Sequence, residues 1–396
     1  MVTLATKTLV LDNGAYNIKA GYAGRAESLL CARNCSIRGK VGGVLYADQV
    51  DSTSDLSGVT PRLPFERGYV VNWQLQRDIW NRLFSPDVLN CIPDETTLLL
   101  TQPCFNLPVI AQSCDEVVFE EFGFASYHRS TAPVLAQYCL STPKPPECVV
   151  VVDTGYSFTH IFPICNGRPV WKAVRRIDVG GKLITNHLKE IISFRQWNMM
   201  DETFLINTVK ESCCYISTKF QEDQEACSTP NNDIVQDYVL PDIGLGIKGH
   251  VRQRNDGSQP RLDEQVLVMN NERFTVTETL FNPSDIGIEQ AGIPEAIVQA
   301  VGACDPNLQG LFYNNIIVIG GNARIAGFKS RLDIELRALI PVEYDLSVVI
   351  PERPDVASWQ GGVHWAEQFP EEFGQKCVTK AEYAEHGINI CNKRFR

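Results

Sequence analysis

The stretch Leu9-Val10-Leu11-Asp12-Asn13-Gly14 has a counterpart far down the chain in Val149-Val150-Val151-Val152-Asp153-Thr154-Gly155, and this pair decides the fold. Each is an apolar run closed by aspartate and a turn signal. A continuous Val/Leu run reads as a strand buried on both faces, and Asp before Asn-Gly or Thr-Gly is hairpin chemistry in which glycine supplies a positive φ. Two such units predict a duplicated α/β fold with a cleft between its halves. Backbone amides of each turn can cradle a phosphate, and each aspartate can hold a metal-bound water. A single Asp-x-Gly would carry no weight, since most are plain hairpin turns. A third strand-turn-helix unit, Ile316-Ile317-Val318-Ile319-Gly320-Gly321, moves the reading to a nucleotide cleft.

Bulk composition sets the frame. With 396 residues, 44% of them hydrophobic, the chain can bury two cores. A net charge of -11 gives no field for gripping nucleic acid, so any work near DNA needs other subunits for most phosphate contacts. No apolar stretch approaches the ~20 residues that span a bilayer, and no basic-then-apolar leader opens the chain, so cytosol or nucleus is expected. The 14 cysteines lack finger spacing, which points to reduced, mostly buried thiols.

Helical and strand patterns alternate along the chain. After Gly180-Gly181, residues Ile184, Leu188, Ile191 and Ile192 fall on one helical face, predicting a helix over the cleft. Residues 210–216 read as helix too. Residues 224–264 are polar with few apolar anchors and read mainly as a surface excursion. Within it Asp237-Tyr238-Val239-Leu240-Pro241-Asp242 is a short strand, and Gly249-His250-Val251-Arg252-Gln253-Arg254 is expected as a basic tip, solvated or in contact with a partner.

From end to end, these residues resemble the actin family. Asp12-Asn13-Gly14 with Lys19 is similar to its first phosphate loop, Asp153-Thr154-Gly155 with His160 to its second, and Gly320-Gly321 to its adenosine loop. Gly68-Tyr69, Phe119-Glu120-Glu121-Phe122, Leu280-Phe281-Asn282-Pro283 and Trp359-Gln360-Gly361-Gly362 keep the family's order. The resemblance implies the duplicated two-lobed fold shared by actins, heat-shock chaperones and sugar kinases, with four subdomains around a nucleotide cleft. Carried over, residues 1–33, 64–143 and 357–396 form the base of the small lobe, and 34–63 form subdomain 2. Residues 144–179 and 288–356 form the base of the large lobe, and 180–287 form subdomain 4, with a surface insertion near 242–264. ATP or ADP would meet Asp12, Asn13, Gly14, Lys19, Asp153, Thr154, Gly155, His160, Lys210, Glu211, Gly320 and Gly321. Magnesium would sit beside Asp12 and Asp153, through water.

The departures from the family pattern concern the same site. Conventional actin has Ser-Gly where this chain has Ala15-Tyr16, and Asp-Gly where it has Tyr156-Ser157. Ala15 cannot donate to a phosphate, while Tyr16 could still point outward and leave the amides free. Tyr156 either packs on its own hairpin or occludes the phosphate pocket. Ala132 stands where actins carry the glutamine that orients the attacking water, and Gln137, roughly 140° round a helix, should face elsewhere. His160 keeps a family position beside that water. Asn207 replaces an arginine of the base pocket, Ile325 an aromatic, and residues 351–355 lack the usual Lys-Tyr. These changes are consistent with weak binding of ATP or ADP with magnesium, and equally with no cofactor.

Within the family the resemblance is to a nuclear actin-related branch, through Gly180-Gly181-Lys182, Met200-Asp201-Glu202-Thr203 and Asn282-Pro283-Ser284-Asp285-Ile286-Gly287. It implies a scaffold rather than an enzyme: a subunit of a nuclear chromatin-remodelling complex that exchanges histone variants, with some protein in the cytoplasm. Its partners would be the other subunits, nucleosome contact being indirect and membranes uninvolved. Filaments are not expected, because residues 35–62 are short for the family's subunit-contact loop and Asp285 would bury a carboxylate at the strand-plug contact. The alternative is an ATP-binding, slowly hydrolysing actin of the cytoskeleton. A sugar kinase fares worse, since nothing nominates a base over a sugar pocket.

Overall fold

The structure, a computed structural model, describes residues 7–395 apart from 26–28, 41, 54, 141, 143, 230, 231, 243 and 253–263. Two six-stranded sheets share one construction. In the first, Lys7–Asn13 pairs antiparallel with Asn17–Tyr22 and parallel with Thr96–Gln102, and Ser126–Thr131 extends the sheet beyond Thr96–Gln102. In the second, Cys148–Thr154 pairs antiparallel with Thr159–Cys165 and parallel with Ile316–Ile319. The quoted apolar runs are thus the central strands, flanked on both edges, and Leu9, Val10, Leu11 and Val149 through Val152 are fully buried. The registers also repeat: Asp12 lies opposite Lys19, and Asp153 opposite His160.

The glycines of these hairpins work differently from the expectation. Gly14 and Gly155 are absent from the positive-φ positions. Gly14 is needed for close approach, because a Cβ there would lie 2.6 Å from the Asn17 carbonyl oxygen. Gly320 is the one of the three loops' glycines that takes the left-handed side, with φ 97° and a Cβ position 2.2 Å from the Thr154 oxygen.

The helix Gly181–Arg195 buries Ile184, Leu188 and Ile192 as its spacing predicts, with Ile191 partly buried beside them. The helix at 210 stops sooner than expected. It runs Thr203–Cys213, Cys214 turns extended, and Tyr215 bridges to Ala326 in parallel, so the backbone of 215–216 serves the large lobe's core.

The polar excursion is more structured than its composition suggests. Gln236–Val239 is the central strand of a three-stranded sheet between His250–Arg252 and Val266–Met269. Tyr238, Val239 and Leu240 bury almost completely, so three anchors suffice where many were sought. The expected basic tip is an edge strand instead. Arg252 is spent on Glu264 at 2.6 Å and Asp237 at 3.5 Å, while Gln253 and Arg254 lie outside the described residues. On the opposite edge the Gln196 side chain both accepts from Val268 N at 2.8 Å and donates to Val268 O at 2.9 Å. Most cysteines are buried and all are free thiols, as expected. Among the described residues no helix is long and apolar enough to cross a membrane.

Candidate functional site

The two hairpin turns face each other across a cavity of about 690 Å³ lined by Asp12, Asn13, Gly14, Lys19, Asp153, Gly155, His160, Lys210, Glu211, Gly320 and Gly321. Of the residues nominated for the site, these reach its wall. Thr154 lies behind it, fully buried, bonded to Thr159 and to the Asn322 side chain.

Equivalent register positions carry different chemistry. Asp12 receives Lys19 Nζ at 3.1 Å and the Thr101 hydroxyl at 2.8 Å. Burial opposes the Lys19 charge, but Asp12 outweighs it and raises the ammonium's pKa. Asp153 has a histidine opposite instead of a lysine. Burial, then repulsion from Asp12, pushes its carboxyl up to about 7 against the weaker pull of Lys19. His160 gives no countercharge, because burial and Arg176 hold its imidazole down to about 4. Its Nε2 is buried with no hydrogen-bond partner.

Between the turns stand two rings. Tyr16 does not point outward: it comes from the small-lobe turn to meet Tyr156 of the large-lobe turn, ring centroids 4.8 Å apart and planes tilted by 32°. Burial pushes the Tyr16 phenol up to about 12, so it stays neutral. Its hydroxyl accepts from Asn207 Nδ2 at 3.3 Å. Of the two readings open for Tyr156, occlusion fits the geometry, since its ring partner is on the other loop.

The lobes touch again on either side of the rings. Phe204 of the large lobe buries against Cys35, Ile37 and Val50, with the Arg33 guanidinium 4.4 Å from its ring centre. Glu202 accepts from Gly58 N at 2.9 Å. Arg176 lies 3.5 Å over Phe158 and donates to the Tyr69 hydroxyl at 3.2 Å, which is where the Gly68-Tyr69 motif meets the large lobe. Sequence reasoning missed these cross-cleft contacts; the replacement of a loop glycine by Tyr16 was the one signal it had.

The base-side groups are also committed. Lys210 is buried with its ammonium on Asn207 Oδ1 at 2.9 Å, Thr185 Oγ1 at 3.0 Å and the Gly181 carbonyl at 3.4 Å, and burial lowers its pKa. Asn207 gives its remaining hydrogen to Glu211 at 2.8 Å. Lys210 and Glu211 therefore satisfy protein groups rather than reaching for a ribose. Asp355 pairs with Arg353 at 2.9 Å. Ala132 lines the cavity, whereas Gln137 is buried on the Val134 carbonyl and absent from the wall.

A magnesium nucleotide suits this arrangement poorly. A triphosphate laid between the loops would have to part the Tyr16 and Tyr156 rings. Among the described lining residues, His160 Nε2, Arg33 Nη1 and Asp355 Oδ1 are buried without a hydrogen-bond partner, and of these His160 Nε2 belongs to the phosphate-side hairpin.

The family model described as Actin matches residues 3–396. The chain is 43% identical to actin-like protein ARP6 of Cryptococcus neoformans var. neoformans, over 98% of this chain and 84% of that one. It is 36% identical to actin-related protein 6 of Oryza sativa subsp. indica over the full length of both, and 35% identical to actin-related protein 6 of Drosophila melanogaster over 99% of this chain and all of that protein. With its paired hairpins, its cleft and this end-to-end similarity, the chain belongs to the actin family.

Proposed function

We infer that the chain is a non-enzymatic scaffold, a subunit of a nuclear chromatin-remodelling complex that exchanges histone variants, with its actin fold serving as an interaction platform. The observation that carries the non-enzymatic half is the Tyr16–Tyr156 contact across the phosphate loops, with Ala132 at the water-orienting position. Phosphoryl transfer depends on an aligned phosphate and an oriented water, and losing one orienting group costs ~100-fold or more. The assembly half rests on the resemblance to the nuclear actin-related branch. Non-polymerisation belongs to the same reading: Asp285 is exposed on the segment that would plug between strands, and Gln290 of that segment is bonded to Asp178 on its own lobe.

Two measurements test the reading. Affinity purification should recover nuclear remodelling subunits with this chain, with recovery reduced on deletion of residues 244–262; a chain that returns only cytoskeletal partners overturns it. Single-turnover hydrolysis of labelled ATP should show no release above background. The orphaned His160 Nε2 favours a second reading, in which a nucleotide and its water enter and are turned over slowly. Phosphate release abolished by Asp153→Ala would establish that alternative.

A further inference from the structure

The loop after the cleft strand Thr96–Gln102 and the first turn of the helix Pro108–Glu116 that follows leave three apolar side chains in solvent: Phe105 is 44% exposed, Leu107 55% and Val109 72%. Trp171 of the large lobe, 50% exposed, joins them, with its ring centroid 5.9 Å from that of Phe105. Phe162 supports Trp171 from below at 5.4 Å. The Phe105–Trp171 contact therefore carries the patch from lobe to lobe, with the buried Phe162 ring against Trp171. Phe105 also holds φ at 56°, a left-handed value that costs a bulky residue of order 1–3 kcal/mol and that burial does not compensate at a half-exposed ring.

Charge says what covers it. Residues 103–114 carry no ionisable acid or base apart from cysteine thiols, and residues 159–177 carry Arg168, Lys172, Arg175 and Arg176 with no acid, Arg176 being paired with the following Asp178 at 2.8 Å. In a chain of net charge -11 this is a local inversion of sign. Arg168 and Lys172, both exposed, flank Trp171 within three positions. An aromatic centre with a cationic rim is the composition of a protein-binding hot spot. We propose that Phe105, Leu107, Val109 and Trp171 form a docking surface for an acidic segment of a partner protein, whose aliphatic or aromatic anchors lie on the exposed faces of the rings while its carboxylates meet Arg168 and Lys172. The proposal does not rest on residues 242–264 or on the nuclear assignment.

The experiment places a photo-crosslinking p-benzoylphenylalanine at Val109 in the full chain, assembled in cells with its own partners, and sequences the crosslinked peptide. A single partner segment rich in Asp and Glu around Leu or Phe is expected. Combined Arg168→Glu and Lys172→Glu, both at exposed positions, should reduce that crosslink about tenfold at physiological salt. The same probe at Phe194, exposed on the helix Gly181–Arg195, is the control and should not capture that segment. A synthetic peptide of the sequenced segment should bind the purified chain, more weakly as salt rises. A crosslink to nucleic acid, to a second copy of this chain or to a basic segment overturns the proposal, as does a yield unchanged by charge reversal or no crosslink above the Phe194 control.

Discussion

Tyr16 and Tyr156 touch each other from opposite lobes, at the place where two phosphate loops would otherwise share a ligand. An aromatic pair of this geometry contributes about 0.5–1.5 kcal/mol beyond its buried area. Combined Tyr16→Gly and Tyr156→Asp should lower the melting temperature in plain buffer. With magnesium and ATP the variant should gain a stabilisation that the parent lacks, about 2.7 kcal/mol at a hundredfold excess over Kd. Thermal unfolding with and without nucleotide reads both effects. A double variant as indifferent to ATP as the parent would mean that the rings are not the obstruction.

The Asp153 carboxyl gives a signed pH dependence. Its pKa rises from about 3.9 unfolded to about 7 folded, so between those values the native state holds the extra proton. Stability from this group is therefore lost as pH rises through the window of roughly 4 to 7. His160, held down to about 4, acts in the opposite direction between about 4 and 6.5, so the parent's profile is partly cancelled. Asp153→Asn isolates the acid. Denaturant unfolding should show the variant gaining on the parent from pH 5 to pH 8 by on the order of 2 kcal/mol, because only about two of the roughly three pK units of the shift fall inside that range. A constant difference across that range would remove the burial argument.

Neighbouring glycines in the third loop should behave unlike each other. At Gly320 a methyl group meets the Thr154 backbone in a conformation that only glycine visits freely, so Gly320→Ala should cost about 3 kcal/mol or more. At Gly321 nothing lies within 4 Å of the added carbon, and Gly321→Ala should change stability by under about 1 kcal/mol. Equal effects in chemical denaturation would show that the loop is not held against Thr154.

The sequence displays the fold where backbone chemistry is local. Leu9 through Asp12 and Val149 through Asp153 are long enough and apolar enough to declare central strands, and the change to helical spacing after Gly181 declares the helix that follows. It fails where one distant partner decides the outcome. Cys214 ends its helix because Tyr215 is needed beside Ala326, more than a hundred positions away, and no propensity records that. Tyr238, Val239 and Leu240 announce a short strand, which the structure contains as Gln236–Val239, but are too short a run inside polar sequence to announce a core anchor. At the site, positions were legible and directions were not. Lys210 is on the wall as expected, yet its ammonium is claimed by Thr185 and Asn207, and Tyr16 faces inward because Tyr156 is there to receive it.

The carboxamide of Gln196 has a consequence for how this protein survives at high concentration. By bonding both the N–H and the carbonyl of Val268, it stands in for one residue of a missing neighbour strand. An uncapped edge with an exposed Val268 would be a template for another chain's backbone, the first step of sheet-to-sheet aggregation. One side chain from a neighbouring helix end thus shields the edge of a small three-stranded sheet from self-recruitment.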